Sequence, residues 1–120
     1  MHIRFFHPGS FTGTTVAGSS GSAGSSVSEL NNPSAVYVDG NSNMYILDTT
    51  NYRVLRWRIG EPLGYVVAGG NSWGASLTQI STSYAMFVDN QLNIYISDSA
   101  NNRVTKWLAT NRTTGILVYL

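Results

Sequence analysis

A chain of 120 residues, 42% hydrophobic and 11% charged, can bury one modest core and is too short for several domains. Seven Lys plus Arg against six Asp plus Glu leave a formal charge of +1, too little for the field that non-specific nucleic-acid binding needs. The absence of cysteine excludes a disulfide scaffold, a thiolate nucleophile and a cysteine-ligated metal. No run approaches the ~18 apolar residues of a membrane span, and Met1 to Phe11 carries neither the apolar core nor the cleavage site of a signal peptide. DNA, a membrane and a bound cofactor are therefore not expected partners. Abundant Ser, Thr, Asn and Gly favour strands and turns over helices.

In chain order, the first strand candidates are His2 to Phe6 and the stretch ending Val16-Ala17-Gly18. Gly18 to Ser26, rich in Gly and Ser, reads as a flexible loop. Ser34 to Asp39 (strand a), Asn43 to Asp48 (b), Tyr52 to Arg58 (c) and Gly64 to Gly69 (d) follow, each β-branched or aromatic and each bounded by turn formers. The links Gly40-Asn41-Ser42 and Thr49-Thr50-Asn51 are long enough only for antiparallel hairpins, so the unit is a four-stranded meander. Strands a and b are nearly continuous apolar runs, which predicts that both their faces are covered, whereas c alternates and is placed nearer the outside.

The same elements then return. Asn43-Met44-Tyr45-Ile46-Leu47-Asp48 through Asn51-Tyr52-Arg53-Val54 to Trp57 recurs fifty residues later as Asn93-Ile94-Tyr95-Ile96-Ser97-Asp98 through Asn101-Asn102-Arg103-Val104 to Trp107. Gly64 and Val67-Ala68-Gly69 lie over Gly13 and Val16-Ala17-Gly18 at an offset of 51, and His2 to Phe6 lies over Arg53 to Trp57. The chain divides into 1–18, the c and d strands of a preceding unit, then full units at 19–69 and 70–120. Four strands in about 50 residues is the size of a propeller blade, a sheet that must stack on its neighbours to bury its faces.

These strings, a strand ending in Val-Asp, then Asn-x-Tyr-Ile-x-Asp, Asn-x-Arg-Val and Trp, with Gly-x-x-Val-Ala-Gly, resemble the NHL repeat over nearly the whole chain. There are departures: Thr82-Ser83 stands where the first unit has Asn32-Pro33, Val118-Tyr119-Leu120 replaces Val-Ala-Gly, and His2 stands where Arg is expected. The resemblance implies an all-β fold, a partial, open β-propeller of four-stranded antiparallel blades from a six-bladed ring. Such a chain would be a fragment, or a protomer that completes a ring by self-association through its open blade edges.

Because Asp48, Asn51 and Arg53 recur as Asp98, Asn101 and Arg103, they are expected to build each blade and not a unique site. The aspartate would accept backbone N–H bonds from the following turn, the asparagine would take a left-handed position, and the arginine would reach back to the carboxylate. Trp57 and Trp107 are expected to pack between blades. His2 and His7 are the only histidines, too few for a metal centre, and the serine-rich run has no histidine base at motif spacing. The sequon Asn111-Arg112-Thr113 falls in the c–d link of the second unit.

The long d-to-a connections, Ser19 to Pro33 and Gly70 to Ser83, should emerge on the same face as the b–c turns, and this face is the expected binding side. Trp73, Asn71, Gln79, Tyr52 and Asn102 are its candidate ligand contacts. The expectation is a non-enzymatic module binding a protein or peptide. Two alternatives follow from the resemblance: an RNA-binding propeller of the tripartite-motif type, within a ubiquitin ligase that would need a zinc module elsewhere, and, more remotely, a propeller lyase or hydrolase, for which the histidines are missing.

Overall fold

A computed structural model of the chain describes residues 1–6, 8–9, 13–18 and 22–118. Among the described residues the fold is all-β, with three antiparallel sheets of two, four and four strands. Strands β1 (His2–Phe6) and β2 (Gly13–Gly18) form the first sheet. The middle sheet has β3 (Pro33–Val38), β4 (Asn43–Asp48), β5 (Arg53–Arg58) and β6 (Tyr65–Gly69) in sequential order. The last sheet repeats this meander with β7 (Ala85–Val88), β8 (Ile94–Asp98), β9 (Arg103–Leu108) and β10 (Asn111–Leu117).

Strand pleating sorts the side chains of the middle sheet between its two neighbours. Met44, Ile46, Leu55 and Trp57 pack on Ile3, Val16 and Ala17 of the first sheet. Tyr45, Leu47, Val54, Val67 and Ala68, on the opposite face, pack on Val88, Ile94, Ile96 and Trp107 of the last sheet. The sheets thus stack in chain order, and the middle one is the interior layer. Each carries an aromatic ring of its third strand, or that strand's equivalent, over a glycine in the next strand or just before it: Phe6 over Gly13, Trp57 over Gly64 and Trp107 over Gly115. The repeat also preserves an irregularity in register opposite Ile3/Arg4 and Val54/Leu55.

Three expectations require correction. β4 is buried on both faces, but β3 is covered only at Ala35: Val36, Tyr37 and Val38 are exposed, because β3 is an edge strand and its apolar run lies at the margin of the stack. β5, expected nearer the outside, is an inner strand with Arg53, Val54, Leu55 and Trp57 all buried. Asn111-Arg112-Thr113 does not form a link but begins β10, where the Asn111 Oδ1 accepts bonds from the Thr113 amide and hydroxyl.

Candidate ligand-binding groove

The repeated Asp, Asn and Arg residues organise the end of each sheet where the b–c turns lie. Asp48 is fully buried, and its Oδ2 accepts from the Arg53 Nε at 2.9 Å and the Asn51 Nδ2 at 2.8 Å. Its Oδ1 accepts the Asn31 amide at 2.7 Å. The expected backbone N–H bonds from the following turn are not made: that turn gives only the Asn51 side chain, and the backbone amide that Asp48 accepts comes from the loop preceding β3. Asn51 is not the left-handed residue either. It sits in a 3-10 turn (Thr49–Asn51), and Tyr52 takes the left-handed conformation, φ 53°, as does its counterpart Asn102.

The guanidinium of Arg53 also gives Nη1 to Ser25 O and Nη2 to Ser26 O and Glu29 O, while Asn51 reaches Gly24 O. Arg103 makes the same set with Ala75, Ser76 and Gln79, and Asn101 with Gly74. The segment that reads as a flexible linker is therefore an ordered loop across Gly24–Leu30. It is pinned by four carbonyl contacts, by Leu30 buried in the core and by the Glu29 carboxylate on the Ser26 amide. Ser19, Ser20 and Gly21, the middle of the serine-rich run, lie outside the described residues.

Hydrogen bonding also sets the acid behaviour of this end. Burial opposes ionisation of Asp98, but bonds from the Ser81 hydroxyl and amide, the Asn101 amide and the Arg103 guanidinium outweigh it and hold the carboxyl below its usual 3.8. An acid depressed on folding adds stability above its unfolded pKa and loses it as pH falls through the folded value. Urea stability followed from about pH 7 to about pH 2 should be level until the ordinary carboxylate range and fall below it. Asp98→Asn should make this acid limb shallower, and an unchanged limb would contradict the assignment.

Against this scaffold stands a groove of about 350 Å3, lined by Ser25, Thr50, Asn51, Tyr52, Arg53, Val66, Gly70, Ser72 and Trp73. Its floor is a backbone clasp. The Gly70 amide donates to Tyr52 O at 2.9 Å, and a Cβ on Gly69, which has φ 67°, would lie 2.5 Å from that oxygen, so only glycine fits there. Gly70 and Ser72, both with positive φ, then carry the chain up to Trp73, which is 56% exposed. The groove is nearly uncharged, because the guanidinium beneath it is spent on Asp48 and on loop carbonyls.

Of the expected contacts, the structure brings Tyr52 and Trp73 together in this groove. Asn71 faces a separate cavity with Val66, Gly69, Thr78, Arg112 and Thr113, and its Nδ2 is bound to Thr78 O. Gln79 staples its own loop, donating to Asn71 O and accepting from the Ser76 amide. Asn102 occupies the equivalent turn of the last sheet. Thr50, Ser25, Val66 and Ser72 were not foreseen as lining residues, because only the fold brings their three segments together. Of the two histidines, His2 accepts a bond from Arg4, and His7 lies outside the described residues. Among the described residues no three metal-binding side chains cluster.

Tyr52 distinguishes the groove from a mere repeat feature. A tyrosine in the left-handed region costs about 1 kcal/mol or more, and asparagine, which the other repeat uses, tolerates it far better. The repeats hold one other such pair, Leu92 at φ 63° against Ser42, but of the two bulky residues it is Tyr52 that lines the groove. Tyr52→Asn should raise stability by about 0.5 to 1 kcal/mol in urea titrations while weakening ligand binding. A loss of stability would mean that the ring is a packing element.

No protein-family model matches the chain, and no curated protein matches it.

Proposed function

We propose that this protein is a non-enzymatic binding module built of NHL-type propeller blades, and that the Tyr52–Trp73 groove holds a short, uncharged peptide or an extended segment of a protein. The observation that carries this is the pairing of an exposed indole with a conformationally strained tyrosine over a neutral, pre-organised floor. Rigid aromatic rings offer contact area at small entropic cost, and the hydroxyls of Thr50 and Ser72, with nearby loop backbone, suit the polar groups of a peptide main chain. Two stacked meanders with a fifty-residue repeat support the blade assignment. The commitment of Arg53 and Arg103 to carboxylates and carbonyls weighs against an RNA-binding surface here.

The test is a selection of displayed random peptides on the wild-type protein, with counter-selection on Trp73→Ala. Selected peptides should bind wild type and lose about tenfold or more in affinity on Trp73→Ala, as for the truncation of an aromatic anchor. Arg58→Ala, at the far end of β5, should leave binding unchanged. Peptides that bind both proteins equally, or no enrichment over the counter-selection, would exclude the groove.

A further inference from the structure

The stacking of the sheets leaves two faces unmatched, and they belong together. On the middle sheet, Ala35, Tyr45, Leu47 and Val54 are covered by the last sheet. Fifty residues on, Ala85, Tyr95, Ser97 and Val104 form the same face of the last sheet, where with Met86 and Phe87 they line an open, largely apolar hollow of about 230 Å3. Phe87 is 63% exposed and Val104 is 39% exposed. The ring pair on this face is already set. Phe87 and Tyr95 lie 6.1 Å apart at 51°, against 6.2 Å and 51° for Tyr37 and Tyr45 on the middle sheet.

What covers such a face inside the chain is always the same thing: a sheet presenting an aromatic ring laid over a glycine. Trp57 over Gly64 faces the first sheet, and Trp107 over Gly115 faces the middle one. The third such surface is on the first sheet, where Phe6 lies over Gly13 in the same register and is 49% exposed, with Arg4 beside it on this face. At opposite ends of its stack one molecule therefore carries the face that the last sheet covers on the middle one and, on the two strands of the first sheet, the ring-over-glycine part of the surface that covers it, without the Met44 and Ile46 or Ile94 and Ile96 that the four-stranded sheets add.

We propose that the outer face of the last sheet docks the Phe6 face of the first sheet of a second copy of this chain, head to tail. The contact continues the internal stacking, joins unlike surfaces and so can add further copies or close a ring. With a formal charge of +1 per chain, net repulsion between copies is small. The Trp73 groove takes no part, so failure of peptide binding would leave this inference standing.

The two faces can be separated by experiment. In light scattering at up to roughly 100 µM, the full chain should reach at least twice its 13.0 kDa mass. Val104→Asp on the last sheet and Phe6→Asp on the first should each give a protomer of 13.0 kDa with an unchanged far-ultraviolet spectrum. Arg4→Glu, on the same face, replaces Phe6→Asp if the latter loosens the first sheet. Mixed in equal amounts, the two variants keep one good face each and should form a complex of twice the protomer mass and no larger. A wild-type chain that stays a monomer throughout overturns the inference. So does a Phe6-face variant that still self-associates, since like faces would then be pairing, or a mixture that stays monomeric.

Discussion

Arg53→Ala is expected to destabilise the fold by about 3 to 5 kcal/mol, because it strands the buried Asp48 carboxylate without its counter-charge. It also takes the guanidinium donors from the carbonyls of Ser25 and Glu29 and one of the two donors from that of Ser26, which keeps the Glu29 amide. Lysine would not rescue it, since a single ammonium cannot span a carboxylate and three carbonyls in the planar fork that guanidinium provides. The matching Arg103→Ala should cost less, as that side chain is 14% exposed against 7% for Arg53, so water can take over part of the lost bonding. Guanidinium titrations of the two variants check the order. Equal and small effects would mean that the two arginines are surface ornaments. Because Ser25 lines the groove, Arg53→Ala should also speed amide exchange in Gly24 and Glu29 and weaken ligand binding.

Trp107→Ala should cost a similar amount, about 3 to 5 kcal/mol, by a different route. The indole is fully buried between the middle and last sheets, over Gly115, and its N–H is satisfied by the Thr105 hydroxyl. Truncation opens a cavity that neighbouring strands cannot fill without breaking register. Stacked repeats derive much of their stability from the interface between neighbours, so loss of this one should also uncouple the sheets. The expected result is a lower midpoint together with a broader or two-step unfolding transition. A sharp single transition at the wild-type midpoint would show that the last sheet is held by something else.

Much of this structure could be read from the chain itself. The fifty-residue offset located both meanders, and β4 and its counterpart begin within one residue of their expected positions. The arginine-to-aspartate bond followed from a short turn between them. What stayed hidden was hidden for physical reasons. Gly24-Ser25-Ser26 has the composition of a linker, and its order comes from an arginine almost thirty residues away. The signal was nevertheless present in the offset: Gly24, Ser26, Glu29 and Leu30 match Gly74, Ser76, Gln79 and Ile80, and a linker has no reason to repeat. β3 misled because an apolar run reports hydrophobicity, not neighbours, and an edge strand can carry one uncovered. The left-handed residue was placed one position early because Asn51 suits that conformation better than Tyr52. The misfit at Tyr52 lies in the wall of the groove.

A titration of isotopically labelled protein with a selected peptide, followed by nitrogen–proton correlation spectra, tests the groove most directly. The indole N–H of Trp73 and the amides of Tyr52, Gly70 and Ser72 should shift together and saturate at one affinity, while Asn43, Arg58 and Glu61, which line a hollow at the other end of the middle sheet, stay still. Shifts confined to that far end, or spread along exposed β3 with Trp73 unmoved, would contradict the assignment of the groove as the binding site.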